Sequence, residues 1–145
     1  MDLGDINTLL KEKYSFDGFT TDRITNLENM VLVSLGRTTR SGSCPECGKS
    51  IRAEELIRRK VRGLDLIKPC YIEFMQARIR CKCGYRGMEK VDFAERYSRY
   101  TKRFEEHVAL LSKRLKSADI AELYDLDLKT VKNIQKDYFN SKKSG

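Results

Sequence analysis

Two short cysteine pairs constrain this chain more than any other feature of its sequence. They are Cys44-x-x-Cys47 and Cys81-x-Cys83, and a glycine directly follows each pair. Two thiolates on one tight turn can both reach a tetrahedral ion, and the glycine lets the turn close without a Cβ clash. Two such knuckles on adjacent hairpins form a zinc ribbon. The sequence therefore predicts one structural zinc ion bound by Cys44, Cys47, Cys81 and Cys83.

The spacing of the second pair leaves the fourth ligand open. A single residue separates Cys81 from Cys83, whereas two residues separate the cysteines of the first pair. The shorter spacing constrains the backbone more tightly when both thiolates bind one ion. Cys70 is an alternative ligand, although its place at the start of an alternating strand favours a small buried hydrophobic residue. His107, in a helical stretch, is the other alternative. A redox function of the first pair needs a thioredoxin-like βαβ context that the sequence lacks.

The positive charge of the chain begins at the first cysteine. The 145 residues carry a formal net charge of +8, to which residues 1–43 contribute −1, residues 44–100 contribute +6 and residues 101–145 contribute +3. A basic surface attracts polyanions, because each Lys or Arg near a phosphate releases condensed counterions. The charge favours nucleic acid as a partner, and a solvated basic surface is the alternative.

The hydropathy pattern favours a cytoplasmic protein with no membrane partner. The longest aliphatic run, Met30 to Val33, is far shorter than the ~20 residues of a membrane span. The acidic start, residues 1–5, lacks the basic n-region of a secretory signal. In a reducing compartment, an odd number of cysteines favours metal binding over disulfides.

The hydrophobic period changes from two to 3.6 near residue 100, which predicts an α+β fold. A small β-rich zinc-ribbon-like module is expected at residues 28–96, followed by a three-helix helix-turn-helix module at 97–140. Residues 1–27 form an N-terminal segment, in which a short helix can start at Ile6, and residues 141–145 form a tail. A homodimer is left open.

Three strands are predicted in the first module. Residues 30–35 form a buried strand, residues 57–62 form a basic strand ended by Gly63, and residues 71–81 alternate. One face of the alternating strand is expected to contain Tyr71, Met75, Ala77, Ile79 and Cys81, with Arg78 and Arg80 on the other. The ribbon residues expected to contact phosphates are Arg58, Arg59, Lys60 and Arg62, together with Arg78 and Arg80.

Three helices are predicted after residue 100. The first covers residues 101–115, the second starts after a capping Ser117 and covers residues 118–124, and the third covers residues 128–139. The tight turn between the last two fits a helix-turn-helix. Asp125 stands where this turn often has Gly, and Asp tolerates a left-handed conformation better than most residues. The packing positions are filled by Ile120, Ala121, Leu126, Val131 and Ile134.

The third helix is the predicted recognition helix for double-stranded DNA. Asn and Gln can bind adenine bidentately in the major groove, and Lys can reach guanine or phosphate. A three-helix bundle with a solvated polar face is the alternative. The residues expected to contact DNA are Lys129, Thr130, Lys132, Asn133, Gln135 and Lys136.

The order of these parts resembles a known family. Cys44-Pro45-Glu46-Cys47-Gly48 precedes a basic segment ending at Leu64-Asp65-Leu66, and then come Arg78-Ile79-Arg80-Cys81, the aromatic-basic stretch 97–103 and the helix-turn-helix. This arrangement, over roughly residues 28–139, resembles the N-terminal DNA-binding part of transposases of the ISL-three insertion-sequence family.

The resemblance implies binding to the terminal inverted repeats of a mobile element while a separate acidic, metal-dependent nuclease domain cuts. The second cysteine pair is usually spaced wider in that family. No such nuclease domain is recognised in these 145 residues, so the chain is expected not to be an enzyme. The alternatives are a stand-alone transcription regulator, or a zinc-ribbon interaction module that binds RNA polymerase or RNA.

Overall fold

The computed structural model describes residues 3–66 and 68–143 and confirms the α+β fold class. Two compact units, Met1–Thr101 and Lys102–Gly145, divide the chain. The first unit therefore includes the N-terminal segment and also residues 97–101, which the sequence assigns to the helical module. Residues 144 and 145 of the predicted tail lie outside the described residues. No helix in the described part of the chain is long and apolar enough to cross a membrane.

The first unit is built on a five-stranded sheet and a separate two-stranded hairpin. Its elements are α1 (Leu3–Lys13), β1 (Phe19–Asn26), β2 (Val31–Arg37), β3 (Ser41–Ser43), β4 (Ser50–Arg52), β5 (Glu55–Leu66), β6 (Lys68–Arg80) and β7 (Arg86–Met88). The strand order is β1-β2-β6-β5, with β7 also pairing β6, and β3 pairs β4. The β2–β6 pair is parallel and the other pairs are antiparallel.

Strand β6 is buried on opposite faces at its two ends. Cys70, Ile72 and Phe74 lie in the main core, whereas Ala77 and Ile79 pack with the cysteine cluster. The pairing of β6 with β5 is in continuous register over these residues, and alternate side chains of a strand point to opposite faces. The main core and the cysteine cluster therefore lie on opposite faces of β6.

The single buried face predicted for residues 71–81 is therefore wrong in its first half. Tyr71 and Met75 are only partly buried, and the even-numbered residues beside them form the core. The reason is that α1 and an aromatic cluster cover only one face at this end. That cluster is made of Tyr14, Phe16, Phe19, Phe74 and Phe93.

The prediction that Gly63 ends a strand is also wrong, because β5 continues to Leu66. Tyr14 of the segment after α1 occupies the space that a Cβ at Gly63 would need. The Tyr14 hydroxyl accepts a hydrogen bond from the Leu64 N–H at 2.8 Å. Gly63 thus lies within the strand, at the point where the Tyr14 side chain approaches its backbone closely.

The second unit contains the three predicted helices, α2 (Lys102–Leu111), α3 (Ser117–Tyr124) and α4 (Leu128–Lys143). Helix α4 packs against both α2 and α3. Helix α2 ends at Leu111, four residues before the predicted end, and Leu115 is exposed. Ser117 is the first residue of α3 rather than its cap, and its hydroxyl bonds to Gln135. The fully buried side chains are Phe104, Val108, Ala109, Ile120 and Val131.

The turn between α3 and α4 has the conformation that its sequence favours. Asp125 is left-handed, with φ 53° and ψ 54°. The Leu126 N–H bonds to the Ala121 carbonyl at 2.8 Å and the Asp125 N–H to the Glu122 carbonyl at 3.3 Å. These two bonds form a Schellman motif, which satisfies the last carbonyls of α3.

Substitutions at Asp125 test this conformation. Asp125→Val should lower the free energy of unfolding by about 1–2 kcal/mol, because a β-branched residue tolerates the left-handed region poorly. Asp125→Gly should be at least as stable as the wild type. Urea denaturation followed by far-UV circular dichroism measures both. Equal stability of the valine and glycine variants would contradict the role given to the turn.

Candidate metal centre and nucleic-acid interface

The four paired cysteines meet at one point of the first unit. The Sγ atoms of Cys44, Cys47, Cys81 and Cys83 all lie within 4.8 Å of one another. Two of the contacts join the two knuckles, with 3.6 Å between the Sγ atoms of Cys44 and Cys83 and 3.5 Å between those of Cys47 and Cys81. These four residues are positioned to bind one metal ion.

Each pair is held by the turn of a short hairpin. The first lies between β3 and β4, where the Gly48 N–H bonds to the Cys44 carbonyl at 2.9 Å. The second lies between β6 and β7, where the Gly84 N–H bonds to the Cys81 carbonyl at 3.1 Å. Gly48 and Gly84 have φ values of +78° and +105°, which L side chains rarely adopt. The glycine after each pair is therefore required by the turn.

The distances within the cluster fit a tetrahedral thiolate site. Zn–S bonds of about 2.3 Å at tetrahedral angles separate the sulfur atoms by about 3.8 Å. The Cys47–Cys81 and Cys44–Cys83 Sγ separations, 3.5 and 3.6 Å, are close to this value. Cys44 and Cys81 are buried, whereas Cys47 and Cys83 are exposed. Four thiolates complete the coordination shell, which suits a structural ion rather than a catalytic one.

The thiols of the cluster differ in acidity because they share hydrogen bonds. Burial raises the pKa of Cys44. Hydrogen bonds from the backbone N–H groups of Cys47 and Glu46 and from neighbouring thiols have the larger combined effect, and the pKa falls to about 7. A hydrogen bond from the Tyr85 backbone lowers the pKa of Cys83, but neighbouring thiols, led by Cys81, and burial outweigh this bond and raise the pKa to about 12. A bound cation would favour the thiolate form at all four positions.

The two alternative ligands lie outside this cluster. Cys70 is completely buried in the main core, and burial, with the negative charge of Asp65, raises the pKa of its thiol to about 12. His107 is exposed on α2 and its Nε2 lies 2.6 Å from the Tyr124 hydroxyl. Of the three options for the fourth ligand, only Cys83 lies with the other cysteines.

Helix α4 presents a basic face to solvent. Lys129, Lys132, Asn133 and Lys136 are all exposed, and their spacing of three, one and three residues places them on one side of the helix. The opposite side is fixed by Val131 and Ile134, which are buried. The second helix of a helix-turn-helix has this arrangement, with one side packed in the core and the outer side accessible to a partner.

The comparison with protein families agrees with this geometry. Residues 89–138 match the family model described as the helix-turn-helix domain of transposase family ISL3. This part of the chain is similar to the helix-turn-helix of ISL3 transposases. Neither the curated proteins nor the solved structures gave a significant match. The resemblance to ISL3 transposases is thereby confirmed for the helix-turn-helix part, and the four-cysteine cluster suggests the zinc-finger part.

Two of the six residues predicted to contact DNA are less accessible in this helix-turn-helix than expected. Gln135 is half-buried, and its Oε1 accepts a bond from the Ser117 hydroxyl at 3.2 Å. Thr130 is also half-buried. Because α3 packs against this side of α4, the exposed set is reduced to Lys129, Lys132, Asn133 and Lys136.

The structure does not bring the four basic residues of β5 onto one face. Arg59 pairs with Phe74 and stacks over its ring on the core face of β5. Arg58 and Lys60, one residue to either side, point to the opposite face and are exposed. Arg62 shares that opposite face but is only 7% exposed and forms an ion pair with Asp65 at 3.6 Å.

A buried ion pair supports the first knuckle, and the sequence analysis does not predict it. Arg37 Nη1 of β2 lies 2.6 Å from Glu89 Oε2, and both side chains are less than 10% exposed. Arg37 also donates to the Ser41 carbonyl at 2.8 Å, and the Glu89 carboxylate accepts the Ala77 N–H at 2.5 Å. The pair thus joins the knuckle hairpin to β6. The two residues lie far apart in the chain and form no motif, so the sequence carries no signal for them.

Proposed function

We propose that this chain is a zinc-dependent, sequence-specific double-stranded DNA-binding protein related to the terminal-repeat-binding N-terminal region of a transposase. The observation that carries the proposal is the exposed basic face of α4 within the ISL3 helix-turn-helix. The role is one of binding, and no catalytic residue is assigned. We place it in the cytoplasm.

Helix α4 would enter the major groove with its exposed face. Asn133 has the amide geometry that binds adenine bidentately, and each bidentate contact contributes about 1–3 kcal/mol of discrimination. Lys129, Lys132 and Lys136 would contact phosphates or guanine. Asn133 would therefore select sequence, and the lysines would supply most of the affinity.

The four cysteines would hold zinc as a structural ion. Thiolates are soft ligands that select zinc over hard cations such as magnesium, and a closed four-sulfur shell leaves no position for reacting water. The ion would fix the two knuckles to each other and so order the basic β-rich unit. Arg58 and Lys60, which are exposed, would then contact the DNA backbone.

The decisive experiment is selection of duplex sequences from a random pool by the zinc-loaded chain. Enrichment of a motif, followed by its loss with Asn133→Ala, is expected. Recovery of no motif, while a single protein partner is captured instead, would favour the alternative of an interaction module.

One observation favours a protein contact as well. Four leucines of the second unit are 39–62% exposed: Leu110, Leu115, Leu123 and Leu128.

Lysine substitutions on α4 should change the salt dependence of duplex binding. Lys132→Gln or Lys136→Gln should each reduce the slope of log K against log salt concentration by about 0.9, because one phosphate contact is lost. Fluorescence anisotropy at several salt concentrations measures the slope. Lys113→Gln, an exposed charge after the end of α2, is the matched control and should leave the slope unchanged. An unaltered slope in both α4 variants would remove α4 from the interface.

A further inference from the structure

A basic cavity in the first unit has no role in helix-turn-helix binding. Its volume is about 460 Å³, within the range of ~300–1,000 Å³ that is typical of small-molecule sites. The floor includes Ile57 of β5, Gln76 of β6 and Met88 of β7, and residues 96–99 form one wall. Because Gln76 alternates with Ala77, the cavity lies on the face of β6 opposite the metal centre.

The charge of this cavity has one sign. None of its lining residues is acidic, and its basic side chains are Arg59 and Arg78 from the sheet and Arg96 and Arg99 from the wall. Arg58 and Lys60 also line it, but their side chains point to the opposite face of β5. Arg99 is exposed at the surface, and Arg78 is about half exposed beside Glu55. A concave surface with this charge concentrates anions, and guanidinium groups match the geometry of phosphate.

An exposed aromatic ring stands at the wall of the cavity. Tyr97 is 75% exposed, so most of its ring is accessible to a ligand. The Arg96 guanidinium lies 6.0 Å from the Tyr97 ring centroid and 5.5 Å from that of Tyr85. Arg96 also donates a hydrogen bond to the Tyr85 hydroxyl at 2.8 Å, so its position beside Tyr97 is fixed.

The wall is held in place by the strand beside it. Arg59 donates hydrogen bonds to the carbonyls of Glu95 and Ser98. The Arg62 N–H bonds to the Arg99 carbonyl at 2.8 Å, and the Thr101 N–H bonds to the Arg62 carbonyl at 2.8 Å. Residues 95–101 are thus tied to β5 at several points. This anchoring presents Tyr97 and Arg99 in one arrangement before any ligand binds.

We propose that this cavity binds an unpaired nucleotide of a DNA strand, with the base against Tyr97 and the phosphates against Arg78 and Arg99. Stacking on an aromatic ring needs a base that is free of its partner, and every base has a face that can stack. An acidic peptide would meet the charge but would leave Tyr97 without a role. The inference rests on the proposed function, because it takes DNA as the polymer that the chain binds.

The test compares single-stranded with duplex DNA on the zinc-loaded full chain. Tyr97→Ala should weaken binding of a labelled oligothymidylate of about ten nucleotides by about 5- to 150-fold, the fold-change expected for one lost stacking contact. Tyr97→Phe should stay within about threefold of the wild type, because the ring is retained. Arg99→Gln should lower the single-strand salt slope by about 0.7. Arg52→Gln, exposed on β4 away from the cavity lining, is the matched control.

The two proposals fail in different ways. Lys132→Gln should weaken duplex binding while leaving oligothymidylate binding intact, and Tyr97→Ala should do the reverse. Equal single-strand affinity of Tyr97→Ala and the wild type overturns the cavity assignment, even where duplex binding persists. Displacement of the oligothymidylate by polyglutamate of equal charge, at equal concentration, also overturns it, because the cavity would then be a general anion site. Zinc content and thermal midpoint confirm that each variant is folded.

Discussion

The Cys83→Ser variant is expected to lose the zinc ion proposed for the four cysteines and to unfold both knuckles while the main core stays folded. Structural zinc contributes on the order of 10 kcal/mol or more to such sites, and loss of one thiolate opens the closed shell. Strands β3, β4 and β7 have three residues each and cannot persist without this support. The main core lies on the opposite face of β6 and does not include the cluster.

Two measurements check this expectation. Zinc content should fall from about one ion per chain to a small fraction, and hydrogen exchange should accelerate at residues 41–52 and 81–88. Residues of β1, β2 and the first half of β6 should keep their protection. The matched control is Cys70→Ala, which removes a buried thiol of the main core without placing a polar group there. It should keep the full zinc content, and loss of zinc from this variant would contradict the ligand assignment.

The sequence predicts the metal centre well because its signal is local. Each knuckle is encoded in five residues or fewer, and the glycine after each pair already indicates a tight turn. The ambiguity among Cys83, Cys70 and His107 could not be settled in this way, because it depends on where the fold places three residues of different elements. Cys70 lies in the main core near the start of β6, whereas Cys81, directly after the end of this strand, packs with the cluster on the opposite face. This difference follows from the register of the whole sheet.

The helix-turn-helix was predictable for a similar reason. Its core positions repeat at helical spacing, and Ile120, Val131 and Ile134 are buried as that spacing requires. The exposed face was predicted less well, because the contact of Ser117 with Gln135 joins two helices and leaves no periodic trace. The cavity wall shows the same limit. The sequence shows that residues 97–103 are aromatic and basic, but the anchoring of residues 95–101 to β5 is a tertiary contact.

Glu89→Gln is expected to lower the free energy of unfolding by about 3–5 kcal/mol. The substitution keeps the shape of the side chain but removes its charge, which leaves Arg37 buried without its ion-pair partner. Urea denaturation of the zinc-loaded chain measures the loss. The matched control is Glu54→Gln, because Glu54 pairs with Arg80 at 3.1 Å on the surface, where both side chains are more than 40% exposed. An exposed pair of this kind contributes about 0–1 kcal/mol, so the control should change the free energy of unfolding very little.

A double-mutant cycle separates the ion pair from the other roles of these two residues. Arg37→Met alone should cost about 3–5 kcal/mol as well, since the Glu89 carboxylate then loses its cation. Combined with Glu89→Gln, it leaves neither charge buried, and the double variant should be less destabilised than the sum of the single variants by about 2 kcal/mol or more. Strictly additive losses would show that hydrogen bonds to the Ser41 carbonyl and the Ala77 N–H, rather than the ion pair, stabilise the junction. A coupled result would mean that one buried pair, distant from every cysteine in sequence, holds the first knuckle against the strand that leads into the second.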